Sequence, residues 1–468
     1  MHFESCSARR TEAGSYVDKK YTILTATGGL GGTTFDPTVV SNNPNLTGTL
    51  SYDANDAFLN IKLQFVSPGA LNVNQQNVAN ALTGFFNTSG SIPAAFALLN
   101  AAGLTVASGE LGTGVIQSSI NADNQFLNLL LDPTIAGRGA GFTAPGSASQ
   151  FATDDQASGF AEKRLATPSE RAAYAMVTKA PLLAPQPANR WSVWGASYGG
   201  SGKTDGNAAL GSQDTKASVW AVAAGADYKV SPDTLIGFAV AGGSTGFSLA
   251  NSLGSGSADL FQAGIFGRHN IGPAYLSAAL AYGWHDVTTN RTVTLAGFDQ
   301  LQARFRAETF SARFEGGYRF ATPLVGITPY AAAQVISFNL PAYAEQAIVG
   351  TPLFALNYGA QTTTATRTEL GLRTDKSYAL QDAMLTLRGR AAWAHDYNAD
   401  RSVSAVFQSL PGASFVVNGA RGNPDAALVS GGAEVKWLNG FSVAATFEGE
   451  FSGNVTSYAG KGVAKYSW

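Results

Sequence analysis

The sequence predicts an all-β protein, a twelve-stranded antiparallel transmembrane β-barrel. Before the barrel we expect a pore-threading α-helix and a short stack of β-helix-like rungs with a few helices. Three observations predict this fold. Charged residues make up only 13% of the chain, about half the usual share in soluble proteins. Glycine (53 residues) and aromatic residues (11%) are abundant. From Arg190 onward, polar and apolar residues alternate over long segments, as in strands that cross a bilayer.

Composition excludes several other classes of protein. No window approaches the roughly 18 to 20 consecutive apolar residues of a membrane helix, and a closed barrel is the other way to satisfy backbone groups in lipid. The net charge of −2, with charges scattered along the chain, gives no basis for nucleic-acid binding. One cysteine, Cys6, and four histidines without ligand spacing give no basis for a metal site. We therefore expect no cofactor and no metal.

The N-terminal third predicts strands followed by helices. The first eighteen residues carry five charged side chains, and residues 1–19 contain no apolar run. Residues 1–19 therefore predict an unstructured N-terminus and no signal peptide. We expect the chain to be the C-terminal part of a longer reading frame. Residues 20–66 predict short stacked strands, and residues 70–131 carry apolar residues at helical spacing. These helices are expected to pack on the strand stack.

A Gly-, Ala- and Ser-rich linker, residues 137–189, contains one helix at 166–180. Glu170 suits its N-terminal end and Lys179 its C-terminal end, and Pro181 ends it. Apart from Tyr174, Met176 and Val177 its apolar residues are small alanines, so the helix would be marginal in water and needs an enclosing wall. The residues assigned to this pore helix are Glu170, Arg171, Tyr174 and Lys179.

Residues 190–468 predict twelve strands. In "FSVAATFEGEF", for example, Phe441, Val443 and Phe447 oppose Ser442, Thr446 and Glu448. The segment at 325–340 alternates least clearly. The segments run near 190–200, 216–230, 233–248, 256–270, 273–288, 303–320, 325–340, 361–378, 382–397, 424–437, 440–452 and 455–468.

Three features favour a membrane barrel over a soluble sandwich: long strands, an even strand count, and aromatic residues near strand ends. Connections also alternate between short turns and longer loops, notably at 341–360 and 398–423, as at the periplasmic and extracellular ends of an outer-membrane barrel.

Charged residues on the polar faces are candidates for lining the lumen. They could line an ion pathway, bind the pore helix, or pair with one another so that their only role is to keep the lumen hydrated. These candidates are Arg313, Glu315, Arg367, Glu369, Arg373, Arg388, Arg390, Glu448 and Glu450.

One motif points to an enzyme. Residues 195–199, "GASYG", match the G-x-S-x-G pattern of serine hydrolases, with Ser197 as nucleophile. That chemistry needs a sharp turn and a following helix, yet a glycine-rich loop follows Ser197. "GGLGG" at 28–32 lacks nucleotide-binding spacing, and His285 and His395 lie near strand ends. We expect no catalytic residue.

Several segments together resemble the C-terminal part of autotransporters, the type V secretion family. They are "SYDANDAFLNIKLQF", "FLNLLLDPTIAGR", "ATPSERAAYAMVTK" directly before "RWSVWGASYGG", the twelve strands and the closing "YSW". Family members usually end in Phe, whereas this chain ends in Trp468.

The resemblance implies a translocator barrel in the bacterial outer membrane that secretes or displays its N-terminal passenger through the pore. Residues 20–136 would be the end of a β-helical passenger at the cell surface, and Tyr466 and Trp468 the terminal signal for barrel assembly. Implied partners are outer-membrane lipid, the barrel-assembly machinery, periplasmic chaperones and the protein's own passenger in cis, without nucleic acid. We expect a monomer. The alternatives are a porin-like channel and, less favoured, a serine esterase using Ser197.

Overall fold

The computed structural model describes residues 16–65, 69–133, 135 and 190–468. In these residues the chain forms a closed antiparallel barrel, with an N-terminal unit of strands and helices packed at one end. A single hydrophobic core runs from Val17 in the N-terminal unit to Val463 in the last barrel strand. The two parts therefore share one core.

The N-terminal unit comprises five short strands and three helices, and a fourth helix follows it. The strands are β1 (Tyr16–Asp18), β2 (Lys20–Thr25), β3 (Leu46–Tyr52), β4 (Asp56–Leu63) and β5 (Ser91–Pro93). The helices are α1 (Val73–Ser89), α2 (Ala94–Ala97), α3 (Ala101–Ala107) and α4 (Leu111–Leu130). We use "N-terminal unit" for β1 to β5 and α1 to α3.

The β-helix-like rungs predicted for residues 20–66 are not formed. Strands β2, β4 and β3 pair antiparallel in that order, whereas β-helix rungs stack parallel. The cause is a tight turn between β3 and β4, in which the Asp53 carboxylate accepts hydrogen bonds from the backbone N–H groups of Asn55 (2.9 Å) and Asp56 (2.7 Å). One face of β4 is nevertheless covered, because Ala57 and Leu63 are buried.

Local sequence explains the bounds of α1. The Asn72 side chain accepts a hydrogen bond from the Gln75 backbone N–H while the Gln75 side chain accepts one from the Asn72 backbone N–H, which is a capping box. Gly90, at φ 81°, ends the helix in the left-handed conformation. Residues 70–131 thus contain α1 to α4, of which α4 packs differently from the prediction, as described below.

Eighteen further strands follow in chain order, together with a single 3₁₀ turn at Ala250–Ser252. They are β6 (Trp191–Thr204), β7 (Thr215–Ser231), β8 (Thr234–Leu249), β9 (Ser255–Ile271), β10 (Ala274–Val293), β11 (Asp299–Tyr318), β12 (Phe320–Ala321), β13 (Gly326–Leu340), β14 (Tyr343–Ala344), β15 (Gln346–Val349), β16 (Leu356–Tyr358), β17 (Gln361–Ala379), β18 (Ala383–Asp396), β19 (Ser402–Phe407), β20 (Ser414–Asn418), β21 (Asp425–Trp437), β22 (Phe441–Phe451) and β23 (Val455–Ser467).

Twelve of these strands form the barrel: β6 to β11, β13, β17, β18 and β21 to β23. Each pairs antiparallel with its neighbours, and β23 closes the barrel by pairing with β6 from Val455↔Thr204 to Ser467↔Ser192. The predicted twelve-stranded barrel is thus confirmed. The predicted strand bounds agree within two residues, except that β6 extends to Thr204, β10 extends to Val293 and β11 begins at Asp299.

The least regular predicted segment, at 325–340, is β13, which alternates along its whole length. Its inward residues at the far end are apolar, including the buried side chains of Ile336, Phe338 and Leu340. The sequence pattern is weak because the inward residues of this stretch face a packed interior instead of water and are apolar, whereas the outward Ser337 and Asn339 are polar.

The outer surface of the barrel is a belt of exposed apolar side chains. Trp220 is 60% exposed, Ile265 59% and Phe447 59%, while their chain neighbours point inward and are more buried. A water-soluble protein rarely exposes so continuous an apolar surface, whereas lipid covers one. Among the described residues, no helix is long and apolar enough to cross a bilayer.

The two ends of the barrel differ. At one end, which we call the turn end, the connections are short, for example residues 232–233, 272–273 and 380–382. At the other, the loop end, the two longest connections are folded. Strands β14, β16, β19 and β20 pair antiparallel into a four-stranded sheet, which we call the outer loop sheet. The N-terminal unit packs against the loop end.

Helix α4 does not pack on the strand stack, as the sequence had predicted for residues 70–131, but lies inside the barrel. It contacts β7 to β11 and β13 of the wall, and buried residues occur on every side of the helix. Asp123 is its only charged residue, and burial on every side is expected of a helix that is enclosed. The predicted linker and its pore helix at 166–180 lie outside the described residues.

Candidate functional site

The lumen of the barrel is the candidate functional site, and glycines shape its fit around α4. A Cβ on Gly114 of α4 would lie 2.8 Å from the Phe247 ring, and a Cβ on Gly112 would lie 2.9 Å from the Tyr343 hydroxyl. On the wall, a Cβ on Gly264 would lie 2.6 Å from a Leu130 methyl group and 3.1 Å from the Phe126 ring. Real Cβ atoms do not approach this closely, so helix and wall are complementary in shape.

Two polar contacts fix the middle of α4. The Gln262 side-chain amide donates to the Asp123 carboxylate (2.8 Å) and accepts from the Tyr198 hydroxyl (2.8 Å). At the next residue of α4, the Gln334 amide donates to the Asn124 side chain. All five groups are buried or half-buried, where a hydrogen bond lost on displacement is costly. These contacts favour one rotation of the helix about its axis.

Below α4, at the turn end, two lysines hold the chain to the wall. Lys461 lies 2.8 Å from the Asp132 carboxylate and 2.9 Å from Glu448. Lys465 donates to the backbone carbonyl of Ile135 (2.8 Å) and to Asp227 (3.0 Å). Both lysines project inward from β23, the last strand. The chain that leaves α4 is therefore bound at the floor of the lumen.

The first group of predicted lumen residues forms a buried ion network between β11, β17 and β18. Arg313 donates to both carboxylate oxygens of Glu369 (2.9 and 2.8 Å), and Arg390 donates to one of them (3.1 Å). Arg373 donates to both oxygens of Glu315, one at 2.8 Å. Arg313 and both glutamates are almost fully buried.

The remaining predicted residues also point inward, where each meets an opposite charge. Arg367 binds both Asp396 (2.9 Å) and Glu450, and Arg388 lies 2.5 Å from Glu434. The structure therefore brings all nine candidates to the inner face. Sequence reasoning missed six partners that share the same alternating polar faces or the end of α4: Asp132, Asp227, Asp396, Glu434, Lys461 and Lys465.

Among the described residues, the space left inside the barrel lies mainly at the turn end. A cavity of about 570 Å³ extends from the end of α4 to the short turns, with Arg313, Arg373 and Glu448 in its lining. Two further cavities of about 80 Å³ each lie beside α4. Helix α4 thus fills the loop-end half of the lumen and leaves a charged vestibule below it.

Ser197 has no hydrolase geometry. It lies in the middle of β6, on the outer face, and pairs across the sheet with Val222 and Gly462. No helix follows it. His285 is buried in the lumen near the Thr309 hydroxyl (3.5 Å), and His395 lies 2.9 Å from Asp425. Within the described residues, no group of three or more His, Cys, Asp or Glu side chains could hold a metal ion.

The terminal residues lie at the seam between the first and last strands. Trp468 and Trp191 exchange backbone hydrogen bonds of 3.0 and 3.3 Å, and the Tyr466 and Trp468 rings stack at 5.7 Å on the outer surface. The residues assigned to the predicted pore helix, Glu170, Arg171, Tyr174 and Lys179, lie outside the described part of the chain.

Comparisons with known proteins agree with this architecture. The family model described as the autotransporter beta-domain matches residues 193–448, more than half of the chain. A Serratia marcescens protein named extracellular serine protease is 27% identical over 265 residues, which are 56% of this chain and 24% of the relative. The chain thus spans about a quarter of the length of that relative.

Two solved structures are also similar in fold. The translocator domain of the autotransporter NalP from Neisseria meningitidis has a TM-score of 0.48 and 15% identity, over 67% of this chain and 97% of that domain. The beta domain of the Bordetella autotransporter BrkA has a TM-score of 0.46 and 16% identity, over 60% of this chain and all of that domain.

Proposed function

The chain belongs to the autotransporter family, and from that premise we propose that α4 marks the route by which the N-terminal unit leaves the periplasm. The barrel is an outer-membrane autotransporter barrel and is not itself catalytic. The loop end faces the cell exterior, the turn end faces the periplasm, and the N-terminal unit is displayed at the surface.

One observation carries the proposal: within the described residues, the chain runs through the barrel from the N-terminal unit at the loop end to the bottom of the lumen at the turn end. Gly109 accepts a hydrogen bond from Tyr358 at the loop end (2.9 Å), and Ile135 accepts one from Lys465 at the turn end (2.8 Å). Between these two points the chain is α4. A chain that had not entered the pore would not connect the loop end to the turn end through the lumen.

Folding outside the membrane supplies the direction of movement. The N-terminal unit buries Leu82, Phe86 and Phe96 completely, and return through the lumen would require it to unfold and expose them again. The wall offers paired charges that can interact with polar chain during passage. No nucleotide is needed for a step driven in this way.

Assembly into the membrane is a further part of the proposal. Tyr466 and Trp468, exposed at the turn end of the last strand, would be recognised by the barrel-assembly machinery after periplasmic chaperones deliver the chain. A closed seam leaves no open strand edge in the wall, which supports a monomer. We also propose that the chain is non-catalytic, so a serine-reactive phosphonate would not label it.

Conductance in planar bilayers tests this function against the porin alternative. A translocator closed by α4 gives few or no stable openings in the intact chain, whereas a porin conducts continuously. Two supporting measurements are heat-modifiable migration on gels, expected of a closed barrel, and surface proteolysis of intact cells, which should remove an epitope placed in the exposed loop 26–35. Protection of that epitope would contradict the proposed orientation.

A further inference from the structure

We propose that the N-terminal unit is a docked lid, and that the outer loop sheet is its receptor, recognised through an asparagine latch. The latch consists of Asn74 and Asn77 on α1 and of Val416 and Asn418 on β20. The inference rests on the proposed function, which puts the N-terminal unit outside, and it adds a specific binding surface that the translocation route does not require.

The latch closes an open sheet edge. Strand β20 is the last strand of the outer loop sheet, so one side of it carries backbone groups with no strand partner. The Asn74 side-chain amide donates to the Asn418 carbonyl (2.8 Å), and its oxygen accepts from the Asn418 N–H (2.8 Å). One helical turn further, the Asn77 amide donates to the Val416 carbonyl (2.8 Å). A side-chain amide thus takes the place of a neighbouring strand.

Residues three apart on a helix share one face, and alternate residues on a strand share one edge. The spacing of Asn74 and Asn77 therefore matches that of Val416 and Asn418. A side-chain amide carries both an N–H group that can donate to a carbonyl and an oxygen that can accept from an N–H at the same site. Helix and strand are complementary in spacing and in chemistry.

A second contact uses the start of α1. The first N–H groups of a helix have no partner within the helix. Here the Val73 backbone N–H donates to the Ala209 carbonyl (3.1 Å) and the Asn74 backbone N–H donates to the Leu210 carbonyl (2.9 Å). Both carbonyls lie in the loop between β6 and β7. Gly211, at φ 84°, permits this approach, since a Cβ there would lie 2.2 Å from the Asn72 side-chain oxygen. Two separate loops therefore hold the same helix.

Apolar and ionic contacts complete the surface. The Phe96 ring of the N-terminal unit lies 4.7 Å from Phe354 and 5.0 Å from Phe407, and all three side chains are fully buried. Arg291 of the wall, paired with Glu345, donates to the Val106 carbonyl at the end of α3 (3.1 Å). None of these contacts involves α4. The lid is therefore held on the mouth of the barrel by its own surface.

Hydrogen exchange in the full chain, reconstituted in lipid nanodiscs, tests the latch. In the Asn74→Ala, Asn77→Ala double variant, exchange of the Asn418 amide should rise roughly tenfold or more, because its acceptor is gone and the helix lifts. Amides in β11 and β17 should keep their protection. The matched control, Gln76→Ala with Asn80→Ala, removes an exposed hydrogen bond on another face of α1 and should change nothing at Asn418.

A single substitution divides the latch into its two halves. Asn74→Asp keeps an oxygen that accepts from the Asn418 N–H but cannot donate to the Asn418 carbonyl, so exchange should lie between those of the parent and the double variant. Equal exchange in the parent, the double variant and the control would overturn the lid. Heat-modifiable migration and surface exposure of the 26–35 epitope report on the proposed function separately. Both should be observed if that function holds, even where the exchange result contradicts the lid.

Discussion

Glu369 is the residue whose neutralisation should weaken the barrel most clearly. Its carboxylate accepts hydrogen bonds from Arg313 (2.9 and 2.8 Å), Arg390 (3.1 Å) and the Tyr330 hydroxyl (3.3 Å), and the residue is 2% exposed. Glu369→Gln leaves two guanidinium groups without this countercharge and directs an amide N–H toward donors. Removing one partner of a buried pair costs about 3–5 kcal/mol.

The matched control is Asp400→Asn, which breaks the exposed pair with Arg421 at 2.9 Å and should cost less than about 1 kcal/mol. Both variants would be unfolded with guanidinium in detergent, with the heat-modifiable gel band as the measure of folded barrel. We expect a clearly lower midpoint for Glu369→Gln and an unchanged one for Asp400→Asn. If the two midpoints coincide, the ion network does not stabilise the barrel.

Three further predictions follow from named positions. Ser197→Ala should leave assembly unchanged, and phosphonate labelling should be absent with and without the substitution, because Ser197 faces lipid. Labelling that is present in the parent and lost in the variant would support the esterase alternative. Gly264→Leu should displace α4 and raise bilayer conductance, whereas Gly267→Leu, on the outer face, should not; equal conductance would count against the fitted plug. Burial raises the pKa of Glu110 to about 8 from its usual 4.5, so the docked state prefers the protonated acid and loses stability as the pH rises between these values. Glu110→Gln should therefore raise the melting temperature more at pH 8 than at pH 5, and an equal rise at both would refute this assignment.

The barrel strands could be predicted from the sequence because lipid imposes a strict rule on them. Every second residue of a barrel strand must suit hydrocarbon where the strand crosses the bilayer, and the pattern persists over twelve strands. The same rule identified Arg313 and Glu369 as inward residues. It does not specify partners, since Arg313 meets a residue 56 positions away and closure of the barrel decides which strands adjoin.

The position of α4 could not be predicted, because its apolar pattern fits any enclosed site. Residues 166–180 offered a capped helix next to the first strand, which made them the natural candidate for the pore. The glycines that admit α4, such as Gly114 and Gly264, have meaning only once helix and wall are opposed. The outer loop sheet could not be predicted either, because its strands are short and pair between separate loops. Strand β14, for example, has only two residues.

Cross-linking of α4 to the inner wall tests the central claim most directly. In a Cys6→Ser background, the Asn124→Cys, Gln334→Cys pair replaces two side chains in contact, and a short bis-thiol reagent should join them in the assembled protein. The control pair, Asn124→Cys with Val335→Cys, moves the second thiol one residue along, to the lipid face, and should not react. Efficient linkage of the first pair alone is the predicted result; no linkage, or equal linkage of both pairs, would contradict a barrel with α4 inside it.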